Sequence, residues 1–326
     1  MGKVRVGLVG IGSMGGLHLK LLTTDGRLKE VAEVVAACDV REEALRRARS
    51  LGVKYLFRDY VEMLNNTDLD AVVIATPPHL HRKQAIEALR RGLYVLVEKP
   101  MGVTLQDAEE IAKHASGRVM VAFSLRYHGL YRLVKKYLDS ELGDVITQWH
   151  IALGKVPPTS WIRDPKLSGG MVNENTIHVI YVMYWYAGKV TEVYAKTWRV
   201  REDVMIEDNA LITMKHEEGA ASSIIHSWSA THRWRKWGLQ ARYGTVTCEG
   251  YLGGEYRVSK LGGAVITEGS FKEPIEEMYV RQLKHFIDCV ERGDRPLTNE
   301  EDGVHIHKVI HAIYASAKNG ELVRIK

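Results

Sequence analysis

The stretch Gly10–Ile11–Gly12–Ser13–Met14–Gly15 constrains this chain more than any other. It follows at once on an apolar, β-rich run, Lys3–Val9, and opens a helical run through Leu22. Glycines at this spacing between a strand and a helix do separate jobs. Gly10 permits a tight turn, Gly12 lets a pyrophosphate approach the backbone, and Gly15 lets the helix lie close on the strand. Free N–H groups and the helix dipole favour an anion at that N-terminus. Gly10, Ile11, Gly12, Ser13, Met14 and Gly15 are therefore the expected phosphate cradle. Alone the pattern is common, so its weight depends on whether strands and helices go on alternating.

They do. Val31–Cys38 reads as a second strand with Asp39 at its end. An acid there accepts hydrogen bonds from ribose hydroxyls and repels a 2′-phosphate; alternatively it caps the helix at Glu42–Leu51. Arg41 can stack on adenine or tolerate a 2′-phosphate. NAD is the expected cofactor, with NADP the lesser choice. Asp59 reads as the cap of Tyr60–Leu64. Ala71–Ala75 is a fully apolar strand of the parallel-sheet kind, broken by Thr76–Pro77–Pro78, and a helix follows to Arg91. Tyr94–Val97 is the next strand, and it ends in Glu98–Lys99–Pro100. Thr104 caps a helix through His114, and Val119–Phe123 is a further strand. The alternation predicts a Rossmann-type doubly wound parallel sheet over residues 1–123. A Lys at the carboxyl end of a parallel strand stands where such sheets bind ligands.

After Phe123 the pattern changes. Long strand-like runs dominate: Glu192–Val200, Asn209–His216, Ala220–Ser229, Leu239–Glu249 and Glu255–Leu261, with Glu217–Glu218–Gly219 as a hairpin turn. Residues 124–326 are predicted to form an α+β domain with a large, open, mainly antiparallel sheet, closed by helices at Met278–Glu291 and Asp302–Lys318. Thr231–Trp237, which interleaves basic and aromatic residues, is expected to be a loop or an oligomer contact rather than a nucleic-acid surface. A net charge of +5 is not the concentrated basic face that nucleic acids need. The three scattered cysteines suit a reducing compartment and no disulfide framework. With no signal segment and no apolar run of about 18 residues, a cytoplasmic protein without membrane contact is expected. His305, His307 and His311 lack the supporting ligands of a metal site.

The second informative stretch is Pro158–Ile180. On a regular helix Glu174 and His178 are i,i+4 neighbours. A carboxylate beside an imidazole fixes its tautomer and raises its basicity, which suits a general base. A surface pair or a satisfied core histidine would look the same from sequence.

Taken together, the glycine turn, Asp39, Ala75–Thr76–Pro77…His81, Glu98–Lys99–Pro100 and Gly169–Gly170…Glu174…His178 resemble the Gfo/Idh/MocA oxidoreductases, which include glucose–fructose oxidoreductase and inositol dehydrogenases. The resemblance spans nearly the whole chain, including Arg126 and the Gln282–Phe286 and Asp302–Gly303 segments. It implies that Thr76, Pro77, His81, Glu98 and Lys99 join the cofactor site. Lys99 would also touch the substrate hydroxyl, and His178 would be the acid/base. It implies a cis Lys99–Pro100 bond. The family usually has Asp where Glu174 stands, Gly at Thr176 and Asp at Tyr181, departures that point to a different substrate pocket. Arg126, Tyr127, Trp161, Arg163 and Asn175 are substrate-pocket candidates, with core packing the equal alternative for Trp161 and Tyr127. The implied activity is hydride transfer from a secondary hydroxyl of a sugar, inositol or polyol to the nicotinamide, in a homodimer or homotetramer built through the C-terminal sheet. Redox-neutral elimination with tightly held NAD⁺, and a ligand-sensing regulator on the same fold, are the alternatives.

Overall fold

In the computed structural model, which describes residues 2–157 and 159–325, the chain divides into two compact units. The first holds Met1–Ser124 with Glu276–Val304, the second Leu125–Ile275 with His305–Lys326. The sequence boundary put everything after 123 in the second domain, whereas 276–304 pack in the first unit. Two interactions tie that segment in: Arg27 pairs with Glu277 at 2.8 Å, and Val121 and Thr298 exchange backbone and hydroxyl hydrogen bonds of 2.7 Å.

The first unit is built on six parallel strands: β1 (Val4–Val9), β2 (Ala32–Cys38), β3 (Tyr55–Phe57), β4 (Ala71–Ile74), β5 (Tyr94–Val97) and β6 (Val119–Val121), in the order β3-β2-β1-β4-β5-β6. β4 is buried at every position, as a central parallel strand covered on both faces must be. Two helix starts follow from their capping residues. The Asp59 carboxylate accepts from the Glu62 N–H, and Thr104 with Asp107 forms a complete capping box. The strand order reverses between β1 and β4, and Gly10 and Thr76 lie just past the carboxyl ends of those two strands. That is the crevice in which open α/β sheets bind ligands.

The second unit carries nine strands: β7 (Val145–Lys155), β8 (Val190–Trp198), β9 (Asn209–His216), β10 (Ala221–Ser227), β11 (Ser229–Ala241), β12 (Gly244–Glu249), β13 (Gly254–Lys260), β14 (Val265–Phe271) and β15 (Val323–Arg324). Their order is β14-β13-β12-β11-β7-β10-β9-β8-β15, antiparallel except for the β7–β10 pair. Burial alternates along β10 and, from Ala210 onward, along β9, so one face is core and the other is open. The buried helix Ile177–Ala187 is tied to the sheet by Gln148, whose side-chain amide donates to the Met183 carbonyl at 2.9 Å. Two expectations are corrected here. Thr231–Trp237 is not a loop but part of β11; its residues 231–234 are exposed, which hid the strand, and a register shift separates Ser229 from Trp234. The strand β14 was overlooked because Thr, Glu, Gly and Ser interrupt its apolar residues. Among the described residues no helix is long and apolar enough to cross a membrane.

Candidate active site

The glycine turn behaves as its spacing requires. Gly10 has φ +82°, and a Cβ there would lie 2.8 Å from the Ala75 carbonyl oxygen. A Cβ on Gly15 would sit 1.8 Å from the Gly10 carbonyl oxygen, so only glycine lets the helix Ser13–Thr24 start this close to β1. Gly12 is the N-cap of that helix and supplies no side-chain cap. Its missing Cβ would meet nothing within 4 Å, and no acid stands in the first turn. The first-turn amides of Ser13 and Met14 therefore face an open, anion-favouring space. This cradle fits the pyrophosphate of a dinucleotide.

Asp39 follows β2 and is nearly buried. Oδ2 accepts from the Ile11 N–H at 2.7 Å, and Oδ1 accepts from the Arg41 N–H at 2.8 Å. The Arg41 guanidinium folds back over the same carboxylate, at 3.1 and 3.0 Å. Burial pushes the Asp39 carboxyl up. The guanidinium and the two backbone N–H groups outweigh it and hold the group below the ordinary carboxylate range. Asp39 does not cap the following helix, whose N-cap is Arg41. Its place is beside the glycine turn, where it is linked to Ile11. Replacing Asp39 by Ser frees Arg41 and removes a charge. The expected outcome is a shift in NAD-to-NADP preference of roughly 10- to 100-fold, the worth of a hydrogen bond to a charged group; paired kcat/KM values for the two cofactors check it.

Beyond β4, Thr76 donates to Gln84 Oε1 at 2.6 Å and Pro77 caps the helix Pro78–Arg90. His81, expected to face the cofactor, is fully buried instead. Its Nε2 lies 2.7 Å from the Thr76 carbonyl oxygen and its Nδ1 2.9 Å from that of Pro100. The ring thus braces the segments that follow β4 and β5, and burial keeps its pKa below the usual imidazole value. Lys99 is half-buried at the end of β5, and the Lys99–Pro100 bond is cis. The Glu98 carboxylate turns inward: Oε1 accepts from His18 Nε2 at 2.7 Å, and the Tyr279 and His18 rings meet edge to face with centroids 6.0 Å apart. His18 escaped the sequence reading. The available signal was a histidine on the buried Leu19–Leu22 side of the first helix.

In the second unit Gly169 (φ +78°) and Gly170 (φ +98°) end a short helix at Pro165–Ser168. The chain then enters a π-helical turn, Val172–Thr176, and continues as the helix Ile177–Ala187. Glu174 sits inside this wide turn and is buried, whereas Asn175 and His178 keep exposed surface. Turns of this kind often mark functional sites. Thr176 Oγ1 is 2.6 Å from Nδ1 of His226, a buried histidine that burial, followed by the Arg235 charge, pushes down to about 3. Tyr181 is core. Of the pocket candidates, Tyr127 is 5% exposed and packs in the core. Arg126 lies 4.3 Å over the Trp185 ring, and Arg163 pairs with Asp203 at 3.2 Å. Arg126, Trp161 and Asn175 retain accessible surface.

A parallel sheet in this order, with a glycine turn at the reversal point and an acid after β2, defines a dinucleotide-binding fold. Residues 4–124 match the model of an oxidoreductase family with an NAD-binding Rossmann fold, and residues 131–248 match the GFO/IDH/MocA C-terminal domain. The chain belongs to the Gfo/Idh/MocA oxidoreductases. It is 28% identical to a D-apiose dehydrogenase of Paraburkholderia graminis, covering 90% of this chain and 84% of that one. It is 27% identical to a scyllo-inositol 2-dehydrogenase (NAD⁺) of Bacillus subtilis, over 99% and 96% of the two chains. A levoglucosan dehydrogenase solved with NADH and levoglucosan shares the fold over the full length of both chains, with a TM-score of 0.91 at 19% identity.

Proposed function

We propose that this protein is an NAD-dependent dehydrogenase acting on a secondary hydroxyl of a sugar, inositol or related polyol. One observation carries the reading. Two ionisable side chains that a sensor would not need, Lys99 after β5 and His178 on the helix Ile177–Ala187, both keep accessible surface amid otherwise buried neighbours. The names of its dehydrogenase relatives support the substrate class. Gly10–Gly15 would hold the pyrophosphate and Asp39 the adenosine ribose, and Asp39 favours NAD over NADP. The bound nicotinamide supplies the acceptor for the hydride that leaves the carbinol carbon. His178 accepts the hydroxyl proton as the carbonyl forms, and Lys99 offsets negative charge that develops on the substrate. Arg126, Trp161 and Asn175 are the proposed substrate contacts. Tyr194, Leu211 and Ile225, exposed together on the open sheet face, support a homo-oligomer through that face. The test is a screen of NAD⁺ reduction across aldoses, inositols and sugar acids. NADH accumulating with at least one of them is the expected result; product formed without NADH would point to redox-neutral elimination instead.

A further inference from the structure

Two residues that the mechanism does not use meet at the start of the helix carrying Glu174, Asn175 and His178. Glu207 comes from the segment before β9, and Tyr314 from the helix Glu300–Asn319. Glu207 Oε1 accepts from the Val172 N–H at 2.9 Å and lies 2.6 Å from the Tyr314 hydroxyl. That hydroxyl is also 3.0 Å from the Gly169 carbonyl oxygen. The pair fills the space that a side chain at 170 would occupy. A Cβ on Gly170 would be 2.3 Å from the Tyr314 oxygen and 2.7 and 2.8 Å from the two Glu207 oxygens.

The segment held here needs holding. Gly169 and Gly170 both lie at positive φ, and glycine loses more conformational freedom on ordering than any other residue. Local bonds close the turn on itself: Gly170 N–H donates to Ser168 Oγ at 3.1 Å, and Asn173 Nδ2 donates to the Ser168 carbonyl at 2.9 Å. Those bonds fix its shape but do not fix it to distant parts of the unit. Glu207 and Tyr314 supply that anchor, immediately before a π-turn whose register sets where Glu174 and Asn175 point.

We infer that Glu207 and Tyr314 are positioning residues, a hydrogen-bonded pair that locks the Gly169–Gly170 turn and so aims the helix bearing His178. The inference rests on the reading above in which that helix serves the reaction. The contacts also count the protons. Tyr314 has one hydroxyl proton and two neighbouring acceptors, the Gly169 carbonyl and Glu207. All are satisfied when Glu207 is a neutral acid that donates to the Tyr314 oxygen while Tyr314 donates to Gly169. Burial, which raises the Glu207 carboxyl above its ordinary range, favours that form.

The test compares Glu207→Ala, Glu207→Gln, Tyr314→Phe and His178→Ala in the full chain. The readouts are kcat and KM on a substrate from the screen, NADH affinity, and amide hydrogen exchange over residues 170–178. Glu207→Ala should lower kcat by about 10- to 100-fold, the cost of a small misplacement of a reacting group, with NADH affinity unchanged. Glu207→Gln, which keeps a neutral donor and an acceptor, should stay within about threefold of wild type. Exchange over 170–178 should quicken in Glu207→Ala and Tyr314→Phe but not in His178→Ala. Unchanged exchange in Glu207→Ala overturns the inference. So does a Glu207→Gln variant as slow as Glu207→Ala, or wild-type kcat in Glu207→Ala when His178→Ala is inactive. A fully active His178→Ala would instead remove the catalytic role of His178, and the exchange data would still decide whether the pair anchors the turn.

Discussion

Lys99→Ala is expected to lower kcat by about 10²- to 10³-fold, the usual effect of removing one donor to a developing oxyanion. NADH affinity is expected to stay within about threefold. The asymmetry follows from where the binding groups lie. The pyrophosphate cradle, Gly10–Gly15, and Asp39 are built from β1, β2 and the first helix. None of them depends on a side chain at the end of β5. Lys99 stands beyond a strand whose residues Val95, Leu96 and Val97 are 0% exposed. Its backbone is fixed by the ladder behind it and by Pro100. Steady-state kinetics together with NADH titration by fluorescence check this. Equal losses in turnover and affinity would reduce Lys99 to a cofactor contact.

The second large effect separates two glycines of one motif. Gly15→Ala places a Cβ 1.8 Å from the Gly10 carbonyl oxygen, and that obstacle is backbone, not a movable side chain. The helix must shift off β1. Overpacking against backbone should cost at least about 3 kcal/mol, a fall in melting temperature of roughly 6–12 °C for a unit of this size. NADH binding should be lost with it. Gly12→Ala differs: its Cβ meets nothing within 4 Å. The fold should melt as wild type does, while NADH affinity falls by tenfold or more, about 1.4 kcal/mol, because the new methyl stands in the proposed pyrophosphate cradle. Thermal melts and NADH titrations of the two variants check the contrast. A destabilised Gly12→Ala, or a Gly15→Ala that melts normally, would contradict the division of labour.

The contrast also shows what could be read in advance. Five of the six parallel strands were legible because their signals are local, whereas the three-residue edge strand β3 was not. Buried apolar runs such as Ala71–Ile74, caps such as Asp59 and Thr104, and the glycine turn each follow from residues a few positions apart. The nine-stranded sheet was legible in type but not in detail. The exposed, basic outer end of β11 masked its period, and the parallel β7–β10 pair joins strands far apart in sequence. In the candidate site, Lys99 and His178 stood out as residue types in a pattern. Their supports did not, because they come from far along the chain: His18 and Glu98 are 80 residues apart, and Glu207 and Tyr314 are 107 apart. The π-turn at Val172–Thr176 was invisible for a different reason. It adds a residue to one helical turn without any special composition. His81 carried the right residue type, yet it is buried between the Thr76 and Pro100 carbonyl oxygens.

The most direct test of dehydrogenase chemistry follows the hydrogen itself. A substrate identified by the NAD⁺ screen is deuterated at the carbinol carbon, and the nicotinamide product is analysed by mass and NMR. The expected result is one deuterium at C4 of each NADH formed, one ketone per NADH, and turnover abolished in His178→Ala. Undeuterated NADH, or product formed with no NADH at all, would contradict it.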